Sequence, residues 1–156
     1  VRIVDAGSGA PIDGNVVLLD AQKKFAGNGN GRGDDGAVHV WAAPGAYTAQ
    51  VRANGYIMQS VELTVPGPEV RVALPRAAGL VMTSRSGGTF RIVPPRPGGN
   101  IGMPTTFTIR PGERMPMYSL LPGVYEVDKL ADGGKSVAKQ YTVVLTAGQT
   151  ATLDAD

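Results

Sequence analysis

Short stretches in which apolar and polar residues alternate recur along the chain, with Gly, Pro, Asn and Asp between them. Alternation of period two is typical of β-strands that bury one face, and Gly and Pro mark the turns that join such strands. After a strand-like opening at Val1, the first half of the chain has such apolar stretches at 16–19, 38–41, 47–52, 61–65 and 70–74. We find no amphipathic helix in the sequence, so the pattern predicts an all-β protein.

The second half of the chain repeats the first. Pro44-Gly45-Ala46-Tyr47 recurs as Pro122-Gly123-Val124-Tyr125, and Val61-Glu62-Leu63-Thr64 recurs as Val143-Val144-Leu145-Thr146. Such repeats indicate two copies of one structural unit. The sequence therefore predicts two tandem domains, 1–75 and 76–156, each of a size that can fold alone.

The repeated segment has a local structural interpretation. A glycine that follows a proline suits the third position of a type II turn, where φ is positive, so Gly45 and Gly123 predict such turns. Tyr47 and Tyr125 then begin strands. We expect each tyrosine to bury its ring and to donate a hydroxyl hydrogen bond to the backbone.

Composition excludes several classes of site. The chain has 156 residues, with 22 glycines, 12 prolines, one histidine and no cysteine. The Gly and Pro content disfavours a helical bundle, and the Cys and His counts exclude disulfides, thiolate metal sites and multi-histidine metal centres. No apolar stretch approaches the roughly 18 to 20 residues of a membrane span. We therefore expect no cofactor, no metal and no membrane span, and the strand at Val1 indicates a piece of a larger protein.

The residue types that catalysis needs are not arranged for it. A Ser-His-Asp set would have to use His39, which the alternation places in the middle of a strand, and Ser8 lacks the strand-to-helix setting of a nucleophile elbow. A glycosidase needs two carboxylates across a cleft, and the acidic residues are scattered. The chain is predicted to be non-enzymatic.

Two residues of the 38–41 stretch are candidates for binding. If Val38 and Val40 fill the core, then His39 and Trp41 share the opposite face. An exposed Trp can stack on a sugar ring or anchor a partner. The alternative is that the second domain or a loop covers this face, and the sequence leaves both interpretations open.

The Gly-rich run 27–36 has three interpretations. As a calcium loop it offers oxygens at Asn28 and Asn30, but Arg32 stands where a third ligand would be needed. As a phosphate cradle it lacks the Gly-Lys-Ser/Thr ending of a P-loop. A flexible hairpin connection is favoured, and calcium binding stays open.

Positive charge is concentrated between residues 76 and 114, which contain six arginines and a single acidic residue. Arginine binds carboxylates and phosphates bidentately, so an anionic cell-envelope component or an acidic protein surface is a candidate partner. Nucleic acid is disfavoured, because aromatic residues are not interleaved with the arginines. The alternative is a solvated basic face. The candidate binding residues of this stretch are Arg91, Arg96, Arg110 and Arg114.

A run in the first half resembles a known family. Asp35-Gly36 leads into an alternating stretch, then Pro44-Gly45-Ala46-Tyr47, a further stretch and Gly55-Tyr56, the order found in carboxypeptidase regulatory-like domains. The resemblance is clearest over 1–74, and 76–156 carries a weaker copy. It implies a small antiparallel sandwich of transthyretin-like or immunoglobulin-like type, which serves as a non-catalytic accessory module in exported proteins.

The sequence therefore predicts two tandem small antiparallel β-sandwich domains in a larger exported bacterial protein, located outside the cell, in the periplasm or on the cell surface. The predicted role is that of a structural spacer or interaction module whose partners are neighbouring domains. The alternative is a module that binds a polysaccharide or another cell-envelope component through Trp41 and the 76–114 region.

Overall fold

The computed structural model of the chain describes residues 1–31, 33–95 and 104–156. It divides into two compact units, Val1–Arg76 and Ala77–Asp156. Strands dominate the described residues, which contain no α-helix, so the predicted all-β class is confirmed. That each unit folds by itself as a domain stays a prediction.

The first unit has two sheets. Its described strands are β1 (Arg2–Asp5), β2 (Asn15–Leu19), β3 (Phe25–Asn30), β4 (Gly45–Arg52), β5 (Gln59–Val65) and β6 (Arg71–Leu74). Four of them form an antiparallel sheet in the order β3-β2-β4-β5. The first and last strands, β1 and β6, pair with each other in parallel.

The second unit has the same arrangement with one more strand. Its described strands are β7 (Ala78–Thr83), β8 (Gly88–Val93), β9 (Thr105–Ile109), β10 (Arg114–Leu120), β11 (Gly123–Ala131), β12 (Ser136–Leu145) and β13 (Thr150–Asp154), with a 3-10 turn at Asp132–Gly134. The antiparallel sheet has the order β9-β8-β11-β12, and β7 lies between β10 and β13, parallel to β13. In the first unit Val38 pairs with Val1, just before β1; we call residues 37–43, which contain Val38, the 37–43 segment.

The core of each unit lies between its two sheets. In the first unit Ile3 and Leu74 of the parallel pair pack with Leu18 and Val51 of the larger sheet, and all four side chains are buried. In the second unit the buried core contains residues of both sheets, among them Leu80, Met82, Phe90, Val127 and Leu145. Two sheets that bury their facing sides form a β-sandwich.

The prediction for the repeated tyrosines is confirmed. Tyr47 and Tyr125 are buried, and each lies near the start of its strand. The Tyr47 hydroxyl donates to the carbonyl oxygen of Ala43 at 2.7 Å, and the Tyr125 hydroxyl donates to that of Leu121 at 2.9 Å. In both units the tyrosine hydroxyl therefore holds the turn that precedes the strand in place.

Two predictions for the first unit are wrong. Residues 27–30 of the Gly-rich run 27–36, which was interpreted as a flexible connection, belong to β3, and the 38–41 stretch is not a strand. A Cβ on Gly29 would lie 2.1 Å from the carbonyl oxygen of His39, and one on Gly27 would lie 2.5 Å from that of Trp41. These glycines are needed because the 37–43 segment passes directly across β3.

The predicted type II turns are also wrong. Gly45 is not among the residues with a positive φ. Gly123 has a φ of 150°, well away from the value of about 80° that a type II turn requires. A Cβ at Gly123 would lie 2.7 Å from Cγ of Pro95. Glycine is required there by the close passage of Pro95 and by a backbone conformation that other residues rarely adopt.

Replacing Tyr125 by Phe tests the tyrosine contact. The change leaves the Leu121 carbonyl without its hydroxyl partner, so we expect the free energy of unfolding of the second unit to fall by about 1 kcal/mol. Urea denaturation followed by circular dichroism measures it. Tyr118→Phe is the matched control, because Tyr118 lies in the same unit and is 69% exposed. Equal losses in the two variants would contradict the prediction.

Candidate functional site

The 37–43 segment carries both candidate binding residues of the first unit. The Val38 N–H donates to the carbonyl oxygen of Val1 at 2.7 Å, and the Val1 ammonium donates to that of Val38 at 2.8 Å. Val38 is 2% exposed and Val40 is half-buried, whereas His39 is exposed and Trp41 is 82% exposed. The predicted alternation, with His39 and Trp41 opposite the two valines, is confirmed. Their role in binding stays a prediction.

A groove of about 350 Å³ runs along this segment. Its second wall is the run 63–70, where β5 leads into β6, and Val1 also lines it. The apolar residues of the lining include Val40, Ala42, Leu63, Val65 and Val70. The groove therefore combines an apolar lining with an exposed indole at its rim.

The charged groups at the rim are paired with one another. His39 Nε2 lies 3.0 Å from Oδ2 of Asp35, and Arg2 donates from Nε and Nη2 to the two Glu69 carboxylate oxygens at 2.9 and 3.0 Å. The Ala37 N–H, and then His39, hold the pKa of Asp35 below its usual range. Hydrogen bonding from Arg2 does the same for the pKa of Glu69. Both carboxylates are therefore ionised at neutral pH and already have partners.

The charged pair at the rim of the groove is exposed to solvent. The His39 and Asp35 side chains are 59% and 53% exposed, so the pair is solvated. Within residues 1–31, 33–95 and 104–156, no three His, Cys, Asp or Glu side chains are grouped closely enough to hold a metal. Of the proposed calcium ligands, Asn30 accepts a hydrogen bond from Asn15 through its side-chain oxygen. Arg32 lies outside the described residues.

The three candidate arginines that the structure describes lie on different elements of the second unit. Arg91 on β8 donates from Nε and Nη2 to Oδ2 of Asp128 at 3.0 and 2.6 Å, so its charge is already partnered. Arg110 and Arg114 are exposed at the two ends of the turn between β9 and β10. Arg96 lies outside the described residues. Anion binding by these residues stays a prediction, and it is best supported for Arg110 and Arg114.

A buried carboxylate that is not among the predicted site residues lies at the end of β1. Asp5 is 2% exposed, and its Oδ1 accepts hydrogen bonds from the N–H groups of Gly7 and Ser8, both at 2.8 Å. Its Oδ2 accepts from the Tyr56 hydroxyl at 2.9 Å and from Arg76 Nε at 2.6 Å. The Arg76 hydrogen bond, followed by those of Ser8 and Tyr56, holds the pKa of Asp5 far below its usual range. The cluster fastens β1 to the last residue of its unit.

A second buried carboxylate lies on the outer face of the larger sheet in the second unit. Asp128 is 2% exposed, and Gln140 on β12 donates to its Oδ1 at 3.0 Å, opposite the Arg91 contact. The inward position of Asp5 could have been predicted from the sequence, because Asp5 lies two residues after Ile3 and residues two apart in a strand face the same side. Asp128 could not, because its burial depends on side chains from two neighbouring strands.

None of the described segments forms a helix long and apolar enough to cross a membrane. No protein-family model matches the chain, so the resemblance to carboxypeptidase regulatory-like domains stays a prediction. No curated protein matches it either.

Two solved structures resemble the chain at low similarity. One is the Bacillus anthracis TIE protein, with 14% identity and a TM-score of 0.38 over 99% of this chain and 32% of that protein's chain. The other is the Streptococcal ancillary pilin, with 12% identity and a TM-score of 0.41 over 98% of this chain and 60% of the pilin chain. The sequence therefore spans about a third of the first protein and three fifths of the second.

Replacing Asp5 by Asn tests the buried cluster through its pH dependence. Because the pKa of Asp5 is lower in the folded than in the unfolded state, the carboxylate stabilises the fold above its ordinary pKa of about 4. That contribution is lost as the pH falls below this value. We expect Asp5→Asn to lower the urea midpoint clearly at pH 7 and the difference from wild type to shrink below about pH 4.

The matched control is Asp34→Asn, which removes an exposed carboxylate from the same unit. We expect its urea midpoint to follow that of the wild type between pH 7 and pH 3. A midpoint difference for Asp5→Asn that is the same at every pH would contradict the assignment.

Proposed function

We propose that the chain is a non-enzymatic structural spacer of a larger exported bacterial protein, located outside the cytoplasm and joined to neighbouring domains of that protein. The observation that carries the proposal is the parallel pairing of the first and last strands in each unit, β1 with β6 and β7 with β13. Parallel neighbours begin at the same edge of a sheet. A chain that enters at the start of the first strand therefore leaves at the opposite end of the unit.

This geometry suits a module that carries tension. Pulling on the two ends of the first unit drives β1 and β6 in opposite directions along their lengths. The hydrogen bonds of their four paired positions, from Arg2 with Arg71 to Asp5 with Leu74, are then loaded together and not one after another. The same reasoning applies to the five paired positions of β7 and β13.

Side-chain contacts reinforce the loaded pair. Asp5 at the end of β1 binds Arg76, so force applied at the end of the first unit reaches this ion pair. In the second unit the Asp156 carboxylate accepts hydrogen bonds from the Ser84 hydroxyl at 2.9 Å and the Arg85 N–H at 2.9 Å. In each unit the residues that follow the last strand are thus fastened to the end of the first strand.

Single-molecule stretching tests the spacer function. We expect the unfolding force to be several-fold higher when the chain is pulled from residues 1 and 156 than when it is pulled so that one strand separates from its neighbour starting at one end. Because the chain has no cysteine, Ala46→Cys with Thr64→Cys supplies two unique handles at paired positions near the open end of the β4–β5 hairpin. Equal unfolding forces in the two directions would overturn the proposal.

A second candidate function, glycan binding, is supported by the 82% exposure of Trp41 beside the groove. If it operates, Trp41→Ala abolishes retardation by polysaccharides in affinity electrophoresis, because stacking on the indole is lost. The matched control is Phe25→Ala, which removes a 67% exposed aromatic ring from the same unit. Wild-type mobility unchanged by every neutral and acidic polysaccharide tested would contradict this function.

A further inference from the structure

Three asparagines of the chain, Asn28, Asn30 and Asn54, are each followed directly by a glycine. Such a pair can react with itself in water, because the glycine nitrogen attacks the side-chain amide carbon and glycine has no side chain to obstruct the approach. The reaction needs an exposed amide, a glycine N–H that is not held in a hydrogen bond, and a backbone that can rotate. The structure meets these conditions at one of the three pairs and not at the other two.

The Asn30-Gly31 pair is held by two hydrogen bonds. The Gly31 N–H donates to the carbonyl oxygen of Gly14 at 3.0 Å, and the Asn30 side-chain oxygen accepts a hydrogen bond from the side chain of Asn15. The attacking nitrogen and the amide under attack are therefore both engaged. Reaction at this pair requires the end of β3 to separate from the start of β2.

The Asn28-Gly29 pair lies within β3. Asn28 pairs with Val17, and Gly29 pairs with Val16, in the register of β2 with β3. The 37–43 segment passes close to Gly29, because a Cβ on this glycine would lie 2.1 Å from the carbonyl oxygen of His39. The backbone of this pair is therefore confined, and it rotates only when the strand opens.

The Asn54-Gly55 pair lies in an exposed turn between β4 and β5. The Tyr56 N–H donates to the Ala53 carbonyl oxygen at 3.2 Å, the long end of the usual range, and this bond closes the turn. Asn54 and Gly55 are both exposed, and a Cβ on Gly55 would meet no atom within 4 Å. Within the part of the chain that the structure describes, neither the Asn54 side chain nor the Gly55 N–H makes a hydrogen bond. Both reacting groups are therefore accessible.

We propose that Asn54 is a site of spontaneous deamidation, and that this change loosens the buried Asp5 cluster of the first unit. The Gly55 nitrogen loses its proton and forms a bond to Cγ of Asn54, and the side-chain nitrogen leaves as ammonia. The product is a succinimide ring. Water then opens the ring at one of its two carbonyl carbons. Breaking the bond from the Gly55 nitrogen to Cγ gives aspartate, and breaking the bond to the main-chain carbonyl carbon gives isoaspartate.

The connection to Asp5 runs through the residue that closes the turn. The Tyr56 hydroxyl donates to Oδ2 of Asp5 at 2.9 Å, and the neighbouring Ile57 N–H donates to the carbonyl oxygen of Pro75 at 2.8 Å. In the isoaspartate product the main chain passes through the side-chain carbons, so the turn before Tyr56 becomes longer. We expect the added length to displace Tyr56 from Asp5, which leaves a buried carboxylate with one hydrogen bond fewer.

Peptide mapping of the aged, full chain tests the proposal. Trypsin releases residues 53–71 as a peptide whose only asparagine is Asn54, and residues 25–32 as a peptide that contains both pairs of β3. After incubation of the folded chain at mildly alkaline pH, we expect the deamidated fraction to be about tenfold or more higher in 53–71 than in 25–32, because the β3 pairs react only when the strand opens. Mass spectrometry measures this fraction, and chromatography separates the aspartate and isoaspartate forms.

Two controls separate the effect of the fold from that of the sequence. In concentrated urea the turn and β3 are both unfolded, so we expect all three pairs to react at similar rates. Asn54→Gln keeps a side-chain amide, but its longer side chain closes a ring slowly, so we expect residues 53–71 of this variant to stay unmodified. The urea midpoint at neutral pH then falls on ageing in the wild type and stays unchanged on ageing in Asn54→Gln.

Two peptide results would overturn the assignment of Asn54. One is a peptide 53–71 that stays unmodified in the aged folded chain, and the other is equal deamidation of 53–71 and 25–32 in the folded state. An aged wild type that is deamidated at Asn54 and keeps its urea midpoint would overturn the effect on the Asp5 cluster. Equal loss of the midpoint in aged wild type and aged Asn54→Gln would do the same, because the loss would then arise elsewhere in the chain.

Discussion

Parallel pairing between the first and last strands of each unit is the constraint on which the rest of the structure depends. Parallel neighbours cannot be joined by a tight turn, so the whole antiparallel sheet is threaded between β1 and β6, and again between β7 and β13. That sheet then covers the apolar face of the pair. The sandwich architecture, the position of the core and the separation of chain ends within a unit all follow from this pairing.

Features that depend on neighbouring residues could be predicted from the sequence. The alternation over 47–52 and 61–65 located β4 and β5, because strands that bury one face need apolar residues at every second position. The tyrosines at 47 and 125 were predicted correctly because each bonds to a carbonyl four residues earlier. Such contacts lie within a short window of the sequence.

Features that depend on distant residues could not be predicted. Gly27 and Gly29 have the composition of a loop, but they pair with β2 in a strand, and glycine is needed there because the 37–43 segment crosses them. The spacing of Asp5 from Ile3 indicates an inward position, but its partners Tyr56 and Arg76 lie 51 and 71 residues further along the chain and are not indicated by that spacing. A pattern read along the sequence has no access to a partner that the fold brings in from elsewhere.

The two units meet the same physical requirement with different residues. The turn after the first strand has backbone N–H groups that need an acceptor. In the first unit Asp5, within β1 itself, accepts these bonds and also binds Arg76 beyond the last strand. In the second unit the acceptor is Asp156, which itself lies beyond the last strand. The repeat therefore preserves the link between the two ends of a unit, and the residues that make the link differ, which is why the tyrosines revealed the repeat and the acids did not.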